Sequence, residues 1–383
     1  MSSLERFAEE KLRELESRQL RRALAETARE DGITVIRNGR RLVSFSCNDY
    51  LNLSQHPAVK AAAVDAIERY GAGAGASRLV TGNHPLYAAL EARLARLKQT
   101  DSACVFGSGY LANAGIIPAL IGRDDLVLLD ELSHACLWAG ARLARASLLA
   151  YRHNDLAHAA ALLQEYRPQH GRALIATDGV FSMDGDLAPL PGLADLAARH
   201  DAWLLVDDAH GLGVVGGGRG SRYVFDPPPE IGLQMGTLSK AAGGYGGYLC
   251  AARPVIELVR NRARSFVYTT GLPPASVAAA SAALDLISSD RALVERPLAN
   301  ARLFAARAGL NEPPSPIVPL LIGGAEEALA AQRRLEDEGY LAVAIRPPSV
   351  PEGTARLRLA FTAGHDQADI LRLAELVRER VLA

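Results

Sequence analysis

The sequence predicts an α/β fold with a large, mostly parallel, doubly wound sheet, followed by a smaller C-terminal α/β domain. From residue 102 to about residue 280, short apolar runs alternate with segments of helical periodicity. Beyond that point the order changes to long helices separated by few strands. The chain has 383 residues, which is more than one ordinary hydrophobic core requires.

The expected organisation has three parts. Residues 1–45 form an N-terminal helix, over 3–30, and a hairpin that turns at Asn38-Gly39. Residues 46–282 form the large domain and residues 283–383 the small one. In the large domain we expect helices at 58–70, 85–98, 110–120, 133–144, 155–165 and 192–200, and strands at 103–106, 126–129, 147–150, 173–177, 202–207, 231–235 and 247–251. After it we expect helices at 274–289, 292–308, 325–338 and 366–381, and strands at 317–321, 342–345 and 355–361.

Charge and cysteine content restrict the class of function. The 42 basic and 43 acidic side chains nearly cancel, so no field gathers nucleic acid or an anionic membrane. The charged N-terminus lacks the apolar region of a secretion signal, and no run of apolar residues is long enough to span a membrane. The sequence has four cysteines: Cys47, Cys104, Cys136 and Cys250. No two of them form a C-x-x-C pair, which disfavours structural zinc and a disulfide framework. We therefore expect a cytoplasmic protein without a metal.

Polar side chains follow two apolar runs that are expected to be neighbouring strands. Asp207 and His210 come after the first run, and Thr237, Ser239 and Lys240 come at or after the second. Parallel strands present such residues together at their carboxyl edge, where α/β folds bind ligands. An enzyme that uses pyridoxal 5'-phosphate (PLP) needs this pair of groups. A lysine links covalently to the cofactor, and a carboxylate keeps its pyridine nitrogen protonated.

Two further features lie at the same predicted edge. Small residues around Ser108, Gly109 and Tyr110 precede a helix, where exposed backbone N–H groups can bind a phosphate. An ordinary tight turn explains those residues equally well. His134 begins another helix, and its ring can stack on a planar cofactor. A histidine that only starts a helix is the simpler interpretation, and the presence of Asp207 and Lys240 favours the functional one.

Two other functions fit parts of the same region. The run Gly211–Gly216 matches G-x-G-x-x-G, but further glycines and prolines follow it where a dinucleotide site needs a helix. Asp207, Asp208 and His210 are possible metal ligands, but no further ligand stands at a suitable spacing, and Lys240 would have no role. PLP chemistry explains more of the residues than either alternative.

Seven motifs in order along the chain closely resemble the α-oxoamine synthase family of fold-type I PLP enzymes. They are S-C-N-D-Y-L at Ser46, G-A-G-A-G-A-S-R at Gly71, D-E-L-S-H-A at Asp130, T-D-G-V-F-S-M-D-G-D at Thr177, V-D-D-A-H-G at Val206, G-T-L-S-K at Gly236 and F-V-Y-T-T-G-L-P-P-A at Phe266. The resemblance covers nearly the whole chain. Several independent motifs in the right order are more specific than any single one.

The resemblance implies a role for each site residue. Lys240 would carry PLP, Asp207 would pair with the pyridine nitrogen, His210 would bond the ring hydroxyl, and His134 would stack on the ring. These four would be the catalytic residues. The remaining cofactor contacts would be Ser182 beside the ring, Ser108, Gly109, Tyr110 and Thr237 at the phosphate, and Thr269 and Thr270 from a partner subunit. The family's members are homodimers with the active site at the interface.

The resemblance also bears on the substrate. The segment I-R-P-P-S-V-P, within residues 344–359, is similar to members that condense L-alanine with pimeloyl-CoA, or with pimeloyl on a carrier protein, in biotin biosynthesis. Arg356 would bind the amino-acid carboxylate through its planar fork of donors. Arg21, Asn48 and Ser349 would also contact substrate. Glycine C-acetyltransferase and a non-catalytic PLP-bound subunit are the alternatives.

Overall fold

A computed structural model of the chain describes residues 1–18 and 20–382. Gln19, inside the expected N-terminal helix, and Ala383, at the end of the expected C-terminal domain, lie outside the described residues. The chain divides into two compact units. The smaller unit comprises Met1–Cys47, Asn300–Pro313 and Ile317–Ala383, and the larger one comprises Asn48–Ala299 and Pro314–Pro316.

Strands and helices alternate through most of the described residues. The strands are β1 (Thr27–Arg29), β2 (Thr34–Arg37), β3 (Arg40–Ser44), β4 (Ser102–Phe106), β5 (Leu126–Asp130), β6 (Ser147–Tyr151), β7 (Ala173–Asp178), β8 (Trp203–Asp207), β9 (Leu233–Thr237), β10 (Gly247–Ala251), β11 (Ile317–Gly323), β12 (Tyr340–Leu341), β13 (Ala344–Ile345) and β14 (Ala355–Ala360). The helices are α1 (Ser3–Ser17), α2 (Pro57–Tyr70), α3 (Leu86–Lys98), α4 (Gly109–Leu120), α5 (Ala135–Ala144), α6 (Leu156–Tyr166), α7 (Leu190–Arg199), α8 (Arg253–Arg262), α9 (Arg264–Val267), α10 (Pro274–Ser289), α11 (Arg291–Ala308), α12 (Ala325–Asp337) and α13 (Gln367–Arg380).

The larger unit is built on a seven-stranded sheet in the order β4-β10-β9-β8-β7-β5-β6. All neighbours pair in parallel except β10, which runs antiparallel to both β4 and β9. The expected fold class, a mostly parallel doubly wound sheet, is confirmed. Because such sheets bind ligands at the carboxyl ends of their parallel strands, the ends of β7, β8 and β9 are the expected place for a site.

Both faces of this sheet are buried, and alternate residues of each strand pack on opposite sides. Val127 and Leu129 of β5 join a core that includes residues of α4, α5 and α8. Leu126 and Leu128 of the same strand join a second core, with residues of α6 and α7. Burying a side chain of this size contributes roughly 1.5–3 kcal/mol. This two-sided burial explains why the strands read as continuous apolar runs.

Two expectations for the larger unit need correction. The strand expected at 231–235 begins at Leu233 and ends at Thr237, because its register with β8 pairs Leu205 with Leu233. Tertiary pairing therefore places Thr237 at the last position of a strand. Helix α8 was not expected, and its Arg253-Pro254 start places proline in the first turn, where the missing N–H costs nothing.

The smaller unit contains two sheets, in the orders β1-β2-β3-β12 and β11-β14-β13. Its core includes Phe45, Phe304 and Phe361. His365 stacks on Phe45 with ring centroids 4.0 Å apart, and its Nε2 lies 3.0 Å from the carbonyl oxygen of Ser44. Burial lowers the pKa of His365 to about 4, so this histidine belongs to the core as a neutral ring.

The smaller unit confirms the hairpin and corrects two other expectations. β2 and β3 pair around Asn38 and Gly39, which both have positive φ. The helix expected at 3–30 ends at Ser17, and Thr27–Arg29 instead forms a strand that pairs with β2 through backbone hydrogen bonds. The strand expected at 342–345 is replaced by β12 and β13, which pair in different sheets. Among residues 1–18 and 20–382, no helix is long and apolar enough to cross a membrane.

Candidate active site

A cavity of about 190 Å³ lies where β7, β8 and β9 end and where α4 and α5 begin. Its lining residues come from these strand ends and helix starts and from the segment after β9. They are Gly109, Tyr110, His134, Cys136, Asp178, Val180, Asp207, Ala209, His210, Met235, Thr237 and Lys240. Seven residues predicted from the sequence are therefore brought together in one place.

His210 lies between Lys240 and a buried tyrosine. Its Nε2 is 2.7 Å from Lys240 Nζ, and its Nδ1 is 2.8 Å from Tyr50 Oη. Tyr50 Oη is also 3.4 Å from Asn48 Oδ1, so the hydroxyl can donate to Asn48 while it accepts from His210. These contacts hold the imidazole against the amine, where a proton can pass between Nζ and Nε2.

His134 caps the start of α5 and faces the cavity. Its Nδ1 accepts a hydrogen bond of 3.3 Å from the backbone N–H of Cys136 and lies 2.8 Å from Cys136 Sγ. Burial, and then the nearby Lys240, lowers the pKa of His134, although the charge of Asp207 opposes them. The side chain therefore offers the cavity an uncharged aromatic ring at neutral pH, which suits contact with a planar cofactor.

Two carboxyl groups, Asp178 and Asp207, end the neighbouring strands β7 and β8 and are paired in the sheet register. Asp207 Oδ1 accepts from the N–H of Ala209 at 3.0 Å, and Asp178 Oδ1 accepts from the N–H of His134 at 3.2 Å. Burial, and then the charge of Asp207, raises the pKa of Asp178 well above its usual range. This shift favours the protonated form of Asp178 beside the Asp207 carboxylate.

The lining residues from α4 and from the end of β9 are suited to an anion. Ser108 caps α4 and accepts from the N–H of Leu111 at 3.2 Å, so Gly109 and Tyr110 supply the first N–H groups of the helix. Thr237 follows at the end of β9, with its hydroxyl 2.8 Å from the carbonyl oxygen of Gly246. A Cβ on Gly247 would collide with the Ser108 carbonyl, so glycine lets β10 approach this turn.

These groups fit PLP in kind and number. The cavity offers an amine, a carboxylate and a neutral imidazole, and α4 adds a helix start for a phosphate. A helix that could place a pyrophosphate does not follow Gly211–Gly216; short 3₁₀ turns at Gly216–Gly218 and Ser221–Val224 follow instead. Within the described residues, His, Cys, Asp and Glu form no group that could hold a metal ion.

Besides Ser108, three predicted cofactor residues lie outside the lining of this cavity. Ser182 is half-buried and follows Val180, which does line it. Thr269 and Thr270 line a second, much smaller cavity with Arg78. Thr270 also forms a β-bridge with Ser77. The roles of these three residues stay predictions, and those of the threonines require a second subunit.

The predicted substrate residues divide between the two units. Asn48 begins the larger unit, next to Tyr50. Ser349 and Arg356 belong to the smaller one, in which Arg356 is 4% exposed on β14 and donates from Nε to the carbonyl oxygen of Thr354 at 3.0 Å. There Arg22 donates to Ser349 Oγ at 3.0 Å. Arg21 instead pairs with Glu16 at 3.2 Å.

Sequence reasoning did not single out four residues that build the site: Tyr50, Asn113, Cys136 and Asp178. Tyr50 and Asp178 lie inside recognised motifs, so their position gave a signal. Asn113 lies in an apolar helix, and Cys136 appears in the sequence as an isolated buried thiol. Asn113 Nδ2 is 2.7 Å from Asp207 Oδ2, a contact across 94 residues of chain that the sequence alone does not show.

The combination of a doubly wound sheet with a lysine, a carboxylate and a neutral histidine at its carboxyl edge is that of a fold-type I PLP-dependent transferase. Sequence comparison agrees with this class. The chain belongs to the aminotransferase class I and II family, whose model matches residues 40–377. PLP is therefore its cofactor.

Its relatives narrow the assignment. Over 377 residues the chain is 63% identical to a Beijerinckia indica protein named 8-amino-7-oxononanoate synthase, with 98% of each chain covered. It is 60% identical over 378 residues to the Granulibacter bethesdensis protein of that name, with 99% of this chain and 98% of that one covered.

Solved structures give the same picture. Serine palmitoyltransferase from S. paucimobilis, with PLP and myriocin bound, superposes with a TM-score of 0.92 at 29% identity, covering 99% of this chain and 98% of that one. The 8-amino-7-oxononanoate synthase of Francisella tularensis superposes with a TM-score of 0.74 at 27% identity, covering 89% and 98%.

Proposed function

We propose that this protein condenses L-alanine with a pimeloyl thioester, releasing carbon dioxide and the thiol and forming 8-amino-7-oxononanoate for biotin biosynthesis. The observation that carries the proposal is Lys240 Nζ, which lies 2.7 Å from His210 Nε2 in a cavity that Asp207 and His134 also line. The identity of 63% to a full-length relative with this activity in its name supports the choice of reaction.

PLP, when bound, withdraws electrons from the α-carbon of the amino acid. The residues of the chain supply the rest. Lys240 Nζ removes the α-proton and later returns a proton, and His210, held by Tyr50, orients that amine. Asp207 keeps a proton on the pyridine nitrogen, and His134 covers the cofactor with an uncharged ring. Gly109, Tyr110 and Thr237 are proposed to bind the phosphate.

The smaller unit is proposed to select the substrate. Arg356 would bind the alanine carboxylate, since a guanidinium offers two parallel donors to a carboxylate. Ser349 would contact the acyl chain or carboxylate beside it, and its hydrogen bond from Arg22 supports a role for this arginine in addition to Arg21. Arginines near a serine also suit the distal carboxylate of a pimeloyl group. Coenzyme A and a carrier protein remain alternative donors of that group.

We also propose that the active enzyme is a homodimer. Exposed apolar surface is typical of a protein–protein interface. Leu79, Val80 and Tyr268 are large apolar residues that expose 58%, 74% and 74% of their surfaces. They flank Ser77 and Thr270, whose β-bridge joins the two segments. A second subunit covering this surface would bring Thr269 and Thr270 to the partner's phosphate. The expected cytoplasmic location stays a prediction.

The test is to incubate the purified chain, loaded with PLP, with alanine and pimeloyl-CoA and to identify the product by mass spectrometry. We expect 8-amino-7-oxononanoate, and no comparable product from glycine with acetyl-CoA. Lys240→Ala should lose turnover and the visible absorbance of lysine-bound PLP, whereas Lys60→Ala, on the exposed face of α2, should retain both. A preference for glycine with acetyl-CoA would reassign the reaction, and an intact wild type without turnover would indicate a non-catalytic subunit.

A further inference from the structure

The Asp207 carboxylate is held by neutral hydrogen-bond donors. It is 5% exposed, and Oδ1 accepts from the N–H of Ala209 at 3.0 Å. Oδ2 accepts from Asn113 Nδ2 at 2.7 Å and from the Cys136 thiol at 3.6 Å. A carboxylate can accept about four hydrogen bonds, so these contacts leave capacity for a pyridinium N–H. They also fix the plane of the carboxylate before any ligand arrives.

Cys136 acts here as a thiol and not as a thiolate. Burial, and then the charge of Asp207, raises the pKa of Cys136 far above that of a free cysteine. Its hydrogen can therefore point to Asp207 Oδ2 or to His134 Nδ1, which is 2.8 Å away. The sulfur in turn accepts from Asn113 Nδ2 at 3.1 Å. One thiol thus connects the carboxylate with the imidazole that faces the same cavity.

Asn113 is fully buried, and its geometry suggests why an amide stands there. Its Nδ2 donates hydrogen bonds to both Asp207 and Cys136, whereas its Oδ1 has no hydrogen-bond partner. A buried unpaired acceptor costs roughly 1–3 kcal/mol, which an apolar side chain of similar volume would avoid. The amide orientation follows from the network, because Oδ1 turned toward Asp207 would repel it. The N–H donors are therefore the feature that this position supplies.

We propose that Asn113 and Cys136 are positioning residues that hold the Asp207 carboxylate in the orientation that the pyridine nitrogen of PLP requires. The proposal rests on the proposed pairing of Asp207 with that nitrogen. The two side chains do so without adding a positive charge, so the carboxylate keeps its negative charge for the cofactor. The titratable groups that face Asp207 are His134, Cys136, Asp178 and Lys240. The first three are varied one at a time, and Lys240 is kept because it carries the cofactor.

The test measures the protonation of the pyridine nitrogen directly. The holoenzyme is prepared with PLP carrying ¹⁵N at this position, and its NMR chemical shift is followed against pH in the absence of substrate. In the wild type we expect a protonated nitrogen throughout the range in which the protein is folded. In Asn113→Leu the nitrogen should lose its proton at a lower pH, and PLP should bind about 10- to 100-fold more weakly.

The cysteine provides a variant that is less disruptive than Asn113→Leu. Cys136→Ala should shift the nitrogen signal in the same direction by a smaller amount, and Cys136→Ser, which keeps a donor, should restore it. Cys250→Ala removes a fully buried thiol from β10 of the same sheet and should leave the signal unchanged. The Asp178→Asn and His134→Gln holoenzymes identify any contribution of that carboxyl group and that imidazole to the titration. Lys60→Ala, which removes an exposed amine outside the cavity, should leave the titration unchanged.

The outcomes separate this proposal from the proposed function. If Cys136→Ala and Asn113→Leu bind PLP and keep the wild-type nitrogen signal, the proposal is wrong. If Cys136→Ser does not restore the signal that Cys136→Ala loses, the side chain of Cys136 only fills space. That result would overturn the proposed role of Cys136 as a hydrogen-bond donor. An unprotonated nitrogen in the wild type would instead refute the role of Asp207. Absence of turnover with alanine and pimeloyl-CoA would refute the proposed reaction and would leave the nitrogen measurement valid.

Discussion

Asp207 and Asp208 are adjacent in sequence and equally buried, but their surroundings differ. Asp208 Oδ2 lies 2.6 Å from Lys98 Nζ, and its Oδ1 accepts from the N–H of Ser221 at 2.9 Å. Asp207 has hydrogen bonds from uncharged donors, among them Asn113. A buried carboxylate that is neutralised by a lysine inside the protein has no charge to offer a ligand. Asp207, whose hydrogen-bond donors are uncharged, keeps its charge for the cofactor.

The glycine-rich run after Asp208 belongs to the ion pair. A Cβ on Gly211 or on Gly220 would collide with the Asp208 carboxylate. Lys98 Nζ also donates to the carbonyl oxygen of Arg219 at 2.6 Å, within the same wrapped segment. The apparent G-x-G-x-x-G motif is therefore explained by close packing, because a Cβ would meet Asp208 at Gly211, Ala241 at Gly213 and Tyr223 at Gly216. It contributes to stability, whereas Asp207 contributes to the site.

The largest effect should come from breaking the Lys98–Asp208 pair, whose side chains are 1% and 4% exposed. Lys98→Met leaves an uncompensated buried carboxylate, and we expect the free energy of unfolding in urea to fall by about 3–5 kcal/mol. Arg69→Met breaks the exposed pair with Asp65 and should cost at most about 0.5 kcal/mol. Equal free energies of unfolding for the two variants would contradict the stabilising role of the Lys98–Asp208 pair. The folded fraction of Lys98→Met should still bind PLP normally.

Asp207→Asn should lower kcat strongly and change the free energy of unfolding little. Asparagine keeps the size of the side chain and can still accept from the N–H of Ala209, but it loses the charge that faces the cofactor. We expect kcat at saturating PLP to fall by about 10²–10³-fold, the factor typical of one lost electrostatic contact in an active site. The free energy of unfolding should change less than in Lys98→Met. The comparison fails if Asp207→Asn loses stability and keeps its kcat.

The sequence predicts the site where function follows local rules. Lys240, Asp207 and His134 were identified because polar residues followed apolar strands, and the sheet brings such ends together. Asn113 and Lys98 were missed because each appears as an ordinary helix residue. Their partners, Asp207 and Asp208, lie 94 and 110 residues away, and no local pattern links them.

The same limit applies to the fold. The strands of the large sheet were predicted well because continuous apolar runs are the direct result of burial on both faces. The N-terminal helix was predicted too long because Thr27–Arg29 is fully exposed and has no apolar pattern. That segment is a strand only because β2 offers it backbone partners. Pairing of this kind is decided by tertiary structure and not by the residues themselves.

His153 provides a third arrangement, in which one imidazole joins two carboxylates. Its ring nitrogens lie 3.0 Å from Asp130 Oδ1 and 2.8 Å from Asp186 Oδ2. Burial opposes the charged form, but the hydrogen bonds to these carboxylates outweigh it and raise the pKa of His153 to about 10. The stabilisation is therefore complete below the unfolded pKa of 6.5 and is lost as pH rises through about 10.

We expect wild type to exceed His153→Gln in the free energy of unfolding by about 1–3 kcal/mol near neutral pH. This difference should shrink as the pH approaches about 10, where the imidazole of the wild type loses its proton. Urea denaturation of both proteins across this range measures it, and pH effects common to the two cancel in the difference. A gap that stays constant with pH would show that the imidazole contributes as a neutral ring.

Asp178→Asn should have the smallest effect and sharpen the comparison most. Burial, and then the charge of Asp207, raises the pKa of Asp178 well above its usual range, which favours the neutral form of the native group. Asparagine reproduces its shape and can accept the N–H of His134 that Asp178 Oδ1 accepts at 3.2 Å. We expect kcat within about threefold of wild type and an unfolding free energy within about 1 kcal/mol, since a surviving hydrogen bond leaves little to lose. A loss as large as that of Asp207→Asn would mean that both carboxyl groups are charged in the working enzyme. The separation of roles between the two strand ends requires instead that only one of them, Asp207 at the end of β8, is charged.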